Sequence, residues 1–203
     1  MSTARIDKVV IPGVFSLDGQ DFDVENNVWL VGDDEEVLVL DAPHDAEPII
    51  DAIGSRRVTG IVLTHGHNDH INAAVALREA TGAPVWFNPE DRMLWDQVHG
   101  EADPDEELRD GTRLTVAGTT LIAMHTPGHS PGSTCLHAPE LGTVFTGDTL
   151  FCGGPGATGR SFSDHPTILR SIRERLFALP GDTVVRTGHG DDTTIAAEAP
   201  NVG

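Results

Sequence analysis

The sequence has 203 residues, 38% of them hydrophobic, which suits one globular domain with a substantial core and is short for two. Its 32 acidic and 13 basic residues give a formal net charge of -19, and such a surface repels phosphate backbones, so nucleic acid is not an expected partner. No apolar run is long enough to span a membrane and the first residues do not resemble a secretory signal, so we expect a cytoplasmic protein.

The first half of the chain predicts several strands and then an alternation of strands with helices. Helices are expected at residues 46–54, 71–80 and 89–98, the first with Pro48 in its first turn and the second ended by Gly82. Strands are expected at 9–15, 27–31, 37–40, 58–63 and 84–87.

The second half repeats this alternation after an acidic loop at residues 101–110. A helix is expected at 166–179, after a glycine-rich loop at 153–159, and the tail beyond Gly190 is expected to be polar and loosely held. The alternation in both halves indicates a layered α/β fold, although secondary structure alone does not select one. Strands are expected at 113–116, 120–124, 133–137, 143–146 and 182–186.

Potential metal ligands cluster directly after the apolar strand at 58–63. Imidazole and carboxylate donors favour zinc, iron or manganese, and the motif has no cysteine that would favour a softer metal. Polar groups clustered beside a core are costly without a partner, so the segment predicts a metal site. The donors in this motif are His65, His67, Asp69 and His70.

Three further donors, His129, Asp148 and His189, share this setting. Each follows a predicted strand and is flanked by glycine, where active-site residues of layered α/β folds tend to lie. Taken singly, each could be an ordinary loop or capping residue. Together they complete the first motif.

With these segments the sequence resembles the metallo-β-lactamase superfamily, and within it the glyoxalase II branch of thioester hydrolases. The matching segments, 64–70, 126–132, 145–151 and 187–190, follow the order of the family. The resemblance implies an αββα four-layer sandwich formed by residues 1–203 as one domain, with two divalent metal ions at one edge of the facing sheets. Zinc is expected, with iron and manganese as alternatives. The resemblance assigns one ion to His65, His67 and His129, the other to Asp69, His70 and His189, and the bridging position to Asp148.

The resemblance also implies the substrate class, a small-molecule thioester attacked by a hydroxide that bridges the metals. Asp69 could hold the proton of this hydroxide as well as bind metal. Many β-lactamases of the superfamily carry a cysteine in place of Asp148, so lactamase activity is disfavoured. Larger members of the branch append a helical domain whose basic residues hold glutathione. Only 13 residues follow Gly190 and none is basic, so the thiol and the acyl group stay open, as does the oligomeric state.

Several other residues have weaker expectations. Asp41 ends a strand and is expected to hydrogen-bond a metal-bound imidazole, with a turn cap as the alternative. Arg160 is the cation best placed to bind a substrate carboxylate, although a structural ion pair is an equal alternative. Cys135 and Cys152 are both expected to be buried without function, with a place near the site as the alternative for Cys152, which follows Asp148 by four residues. The histidines expected to be ordinary are His44, His99, His125, His137 and His165.

Two other functions compete with the thioester hydrolase. Persulfide dioxygenases resemble the same motifs but use a single iron, bound by residues that match His65, His129 and Asp148. The second alternative is a non-catalytic metal-binding or sensing module. A structural zinc site needs only four donors, and this motif set offers more.

Overall fold

The computed structural model describes residues 4–202, so the first residues, on which the expectation about a signal partly rests, lie outside the described part. The helices are α1 (Ala46–Ile53), α2 (Asn68–Ile71), α3 (Ala74–Thr81), α4 (Arg92–His99), α5 (His165–Ser171) and α6 (Ile195–Glu198). The strands are β1 (Arg5–Leu17), β2 (Gln20–Gly32), β3 (Glu36–Leu40), β4 (Arg57–Val62), β5 (Val85–Phe87), β6 (Glu106–Glu107), β7 (Arg113–Val116), β8 (Thr119–His125), β9 (Thr134–Ala138), β10 (Thr143–Gly147), β11 (Leu150–Phe151), β12 (Gly154–Pro155), β13 (Val184–Thr187) and β14 (Thr193–Thr194).

The strands form two large mixed sheets. The N-terminal sheet has the order β1-β2-β3-β4-β5-β6, and the C-terminal sheet has the order β14-β13-β10-β9-β8-β7. The neighbours β3 and β4 run parallel, as do β10 and β13. Strands β11 and β12 pair only with each other. No helix in residues 4–202 has the length and apolar character that a membrane crossing needs.

Alternating side chains of the strands divide the core into layers. In β3, Val37 and Val39 face the cluster that contains the helix residues Ile49 and Leu77, whereas Leu38 faces the cluster shared with the second sheet. The C-terminal sheet repeats the pattern: its outer face packs against α5 and α6 in a third cluster. Helices, sheet, sheet and helices thus lie in four layers, which confirms the expected αββα sandwich.

A long hairpin of β1 and β2 begins the N-terminal sheet. Its strands pair without interruption from Arg5 opposite Gly32 to Leu17 opposite Gln20, but β2 pairs with β3 only over Trp29 to Gly32. Asp18 and Gly19 both have positive φ, as a two-residue hairpin turn requires. The outer half of the hairpin is therefore a two-stranded ribbon without a third strand.

Three sequence expectations need correction. The helix expected at 71–80 is broken, because the amide of Ala73 donates to Ala42 across the fold and α3 begins only after it. The acidic loop at 101–110 contains the edge strand β6. The tail expected to be loosely held is docked: it forms β14 and α6, and Ile195 and Val202 are buried in the third cluster.

Candidate metal centre

The seven expected donors come together at one edge of the two sheets, although they lie far apart in the sequence. His65, His67, Asp69 and His70 lie between the end of β4 and the end of α2. His129 lies in the loop from β8 to β9, Asp148 directly follows β10, and His189 follows β13. The ends of the strands thus place donors from both sheets around one point.

Three imidazoles form the first group of donors. His65 Nε2 lies 3.0 Å from His67 Nδ1, which in turn lies 3.0 Å from His129 Nε2. All three side chains are buried. We call His65, His67 and His129 the imidazole group.

The second group combines one carboxylate with two imidazoles: Asp69, His70 and His189. Asp69 Oδ2 lies 3.4 Å from His189 Nε2, and His70 Nε2 lies 3.2 Å from the same atom. We call these residues the mixed group.

Asp148 lies between the two groups. Its Oδ2 is 3.6 Å from His129 Nε2 and 3.4 Å from His189 Nε2, and its Oδ1 is 3.3 Å from His70 Nε2. One carboxylate thus reaches donors of both groups.

The chemistry of the donors fits divalent cations. Asp69 Oδ1 and Asp148 Oδ1 are buried without a hydrogen-bond partner in the described chain. In the imidazole group, nitrogen atoms face one another rather than protein acceptors, an arrangement that a shared cation stabilises. Within each group the ligand atoms all lie within 4.8 Å of one another.

The electrostatics of the two groups differ. Burial lowers the pKa of His65 well below its usual value and lowers the pKa of His67 to about 3, so both imidazoles are neutral, which is the form that binds metal. Burial also opposes the charging of His189, but the carboxylates of Asp148 and Asp69 together outweigh it and raise the pKa of His189 to about 10. The carboxylates therefore create a field that favours positive charge between the groups.

Asp41 connects this centre to the first sheet. Its Oδ1 accepts from the Thr64 amide at 2.7 Å, and its Oδ2 lies 2.8 Å from His70 Nδ1. A carboxylate in this position favours the His70 tautomer with its proton on Nδ1, so Nε2 is the atom that this residue would offer to a metal. Asp41 has φ of 64°, an uncommon conformation that aspartate tolerates better than most residues.

Asn26 is a site residue that the sequence analysis missed. Its Nδ2 lies 3.1 Å from Asp69 Oδ2 and 3.2 Å from His70 Nε2, and its Oδ1 lies 2.8 Å from His44 Nε2. His44, expected to be ordinary, thus supports Asn26 from behind. The signal was present in the sequence, since Asn26 and Asn27 are adjacent amides at the start of an apolar strand.

A second missed residue is Asp91, which is completely buried below the imidazole group. Its carboxylate accepts from the Gly66 amide at 2.7 Å and from Ser130 Oγ at 2.6 Å. The sequence carried no signal for this residue, which lies within a predicted helix far from any motif.

Gly188 allows Asp148 to approach the strand end. A Cβ at this position would overlap Asp148 Oδ1 and would lie 2.9 Å from His70 Cε1. The glycine before His189 is thus required by the close approach of two donors.

The centre opens into a cavity of about 1020 Å³ under the β1–β2 hairpin. Five of the donors line it: His67, Asp69, His129, Asp148 and His189. The remaining walls are mostly apolar, with two acidic residues and with no lysine or arginine among the described residues that line it. These walls are Pro12, Gly13, Val14, Phe15, Asp23, Val24, Glu25, Phe151, Ala157 and Gly190.

Arg160 does not line the cavity. Its guanidinium donates to Gln20 Oε1 at 3.0 Å and lies 4.5 Å from the ring centre of Phe22, so it ties the loop before α5 to the tip of the hairpin. A role in binding a substrate carboxylate stays a prediction.

The two cysteines differ in exposure. Cys135 is buried in the third cluster, as expected, but Cys152 is exposed. The expectation for Cys152 was wrong because this residue lies in the turn between β11 and β12 rather than in a strand. His99, His125, His137 and His165 belong to neither donor group within residues 4–202.

Layered sheets between helices, with clustered imidazoles and carboxylates at one sheet edge, define a class of metal-binding α/β proteins. The chain belongs to the metallo-β-lactamase superfamily, whose family model matches residues 22–189.

Among similar proteins, the hydroxyacylglutathione hydrolase GloC of Haemophilus influenzae is 33% identical over 190 residues, which cover 86% of this chain and 90% of that protein. The solved structure of the BLEG-1 B3 metallo-β-lactamase is 30% identical, with a TM-score of 0.79 and coverage of 95% of this chain and 100% of that one. The structure of TTHA1623 in a di-iron-bound form has the same identity of 30% and TM-score of 0.79, and it covers 95% of this chain and 98% of that one.

Proposed function

We propose that this protein is a metal-dependent hydrolase that cleaves the thioester of a low-molecular-weight thiol. The observation that carries the proposal is the convergence of seven donors in two groups, joined by Asp148, at the base of an apolar cavity. A closed structural site would use four donors and would not open into a cavity. The seven donors exceed this number and the site opens into a cavity, so a non-catalytic metal-binding or sensing module is disfavoured.

The imidazole group would hold one divalent ion, the mixed group a second, and Asp148 would contact both. Zinc is the expected metal, and the di-iron form of TTHA1623 supports iron as an alternative. Such ions supply acidified water at neutral pH and polarise the carbonyl to be attacked.

The residues of the chain itself supply the rest of the chemistry. Asp69 Oδ1 has no hydrogen-bond partner within residues 4–202, so it can hold the proton of the attacking water. Phe15 packs against His67, with ring centres 5.1 Å apart, and with Val24 and Phe151 it excludes water around the acyl group. A thiolate leaves readily, so the cavity needs no strong acid beside the leaving group.

The thiol is the least constrained part of the substrate. GloC is named for a glutathione thioester, which carries carboxylates, whereas Asp23 and Glu25 line the cavity here. These acids disfavour an anionic thiol near the hairpin, because like charges repel at short range. We therefore expect uncharged thiols to be preferred to glutathione.

The test is metal analysis of the purified protein together with a hydrolysis screen. The screen uses one acyl group on glutathione, on N-acetylcysteamine and on thiocholine, and it includes a β-lactam because BLEG-1 is a relative. Two metals per chain and thioester cleavage are expected. The variant His67→Ala should lose activity and remain folded, while the control His165→Ala, at an exposed position, should retain activity. No cleavage of any thioester by protein that holds two metals would refute the proposal.

The second candidate is a persulfide dioxygenase with a single iron. It is favoured by the proximity of His65, His129 and Asp148, which could together hold one ion. Oxygen consumption with glutathione persulfide, at one iron per chain, would select this function. Hydrolysis without oxygen uptake would exclude it.

A further inference from the structure

Asp91 joins two loops that carry donors of the same group. Gly66, which donates its amide to Asp91 Oδ2, lies between His65 and His67. Gly132 donates its amide to Asp91 Oδ1 at 2.5 Å, in the loop that carries His129. One carboxylate therefore holds the backbones on both sides of the imidazole group.

Close contacts fix the position of the Asp91 side chain. Ser130 Oγ donates to Asp91 Oδ2 at 2.6 Å, and a Cβ at Gly132 would lie 2.7 Å from the carboxyl carbon. The side chain of Asp91 is completely buried, so water cannot replace it as acceptor for these amides. The two glycines let both loops approach the carboxylate closely.

The mixed group has a different support. The Asn26 side chain lies within hydrogen-bond distance of Asp69, His70 and His189, and none of its side-chain hydrogen bonds in the described chain involves the imidazole group. Conversely, the hydrogen bonds that the Asp91 carboxylate accepts within residues 4–202 come only from the loops of the imidazole group. The two halves of the centre are thus positioned by separate side chains.

We propose that Asp91 is the positioning residue of the imidazole group: its carboxylate fixes the spacing between the His65–His67 loop and the His129 loop, and so sets the affinity of one metal subsite independently of the other. This inference rests on the metal binding proposed above. Asp91 belongs to neither donor group and does not line the cavity, so it would act through the backbone of the loops.

The test is a titration of the metal-free full chain with Co²⁺, followed by the absorption of the bound ion and by competition with a chelator. Variants His67→Ala and His70→Ala assign each binding step to the imidazole group or to the mixed group. Asp91→Asn keeps the volume of the side chain but has one acceptor oxygen, so it cannot serve the amides of both Gly66 and Gly132.

We expect Asp91→Asn to weaken the step assigned to the imidazole group at least about tenfold and to alter its spectrum, with the other step within about threefold of the unchanged protein. Asn26→Ala is the matched control and should weaken the other step instead. Equal weakening of both steps by Asp91→Asn, or no weakening, would overturn the inference.

Two further measurements keep the outcomes distinct. If Asp91→Asn does not fold, as judged by thermal unfolding, Ser130→Ala decides: it removes one hydrogen bond to Asp91 and should cause a smaller loss in the same step only. If the unchanged protein takes up no Co²⁺, the proposed function fails together with the inference. If it takes up two ions and the losses are not selective, only the inference fails.

Discussion

Replacement of Asp41 by asparagine should weaken metal binding through the tautomer of His70. Asp41 offers two acceptor oxygens: Oδ1 accepts from the Thr64 amide, and Oδ2 lies beside His70 Nδ1 and accepts from the Thr64 hydroxyl. Asparagine has a single acceptor oxygen and places an NH₂ donor where the second oxygen was. The Thr64 amide always needs an acceptor, so the oxygen stays there and the NH₂ faces His70 Nδ1.

The imidazole of His70 can then adopt two arrangements, and each is unfavourable. It can move its proton to Nε2, which removes the lone pair from the donor cluster, or it can keep the proton and face another donor. Leaving a buried donor unsatisfied costs about 1–3 kcal/mol, which corresponds to roughly a 5–150-fold loss in affinity. We therefore expect Asp41→Asn to bind Zn²⁺ about 10–100-fold more weakly than the unchanged protein.

Competition with a chromophoric chelator measures the affinity, and ¹⁵N NMR of the imidazoles reports which nitrogen of His70 carries the proton. Asp51→Asn is the matched control, because it removes the same charge at an exposed position. An affinity within about twofold of the unchanged protein, with Nε2 still unprotonated, would refute this account of Asp41.

Other predictions concern close packing, thiol reactivity and pH. Gly188→Ala should weaken metal binding by a factor of about ten or more, because the new methyl group overlaps the Asp148 carboxylate; chelator competition measures it, and unchanged affinity would contradict the steric argument. Burial raises the pKa of Cys135 to about 11, whereas Cys152 is exposed, so a disulfide reagent should modify one thiol in the folded protein and none in Cys152→Ser. Modification of both thiols without unfolding would contradict the burial of Cys135. Burial lowers the pKa of His99, so the fold favours its neutral form, and the stability it contributes is present above its unfolded pKa of about 6.5 and is lost as the pH falls below it. Urea unfolding of the unchanged protein and of His99→Gln should show a stability difference that shrinks between about pH 8 and about pH 5, and a constant difference would show that His99 does not titrate in this way.

The sequence predicted the layered fold and the approach of the donors to one sheet edge because both follow from local patterns. Alternating apolar residues reveal strands such as β3 and β4, and glycines beside His65 and His189 reveal the loops that end them. The resemblance to the superfamily then supplied the number of layers, which periodicity alone could not give.

The supporting residues could not be predicted in the same way. Asp91 interacts with loops distant in sequence, and nothing in its neighbours distinguishes it from an acidic residue in the first turn of a helix. The outer part of the hairpin was missed for another reason: from Gln20 to Glu25 only Phe22 and Val24 are apolar, and this alternation is too short to indicate a strand by itself. The docked tail was missed because its two large apolar residues, Ile195 and Val202, lie far apart and are separated mainly by alanine, so they form no clear periodic pattern.

The β1–β2 ribbon gives the cavity a wall that is distinct from its floor but bonded to it. Asn26 of the ribbon contacts Asp69, and Asn68, next to Asp69, hydrogen-bonds the backbone of Val14 and Ser16. The donors stand at the ends of strands within the two large sheets, whereas Phe15 and Val24 stand on a two-stranded extension attached at its tip by Asp18 and Gln20. Exchange of this extension between members of the superfamily would therefore change which molecules enter, and the floor would keep its geometry where the contacts of Asn26 and Asn68 are retained. Substrate selectivity can in this way differ between relatives that share the same donors.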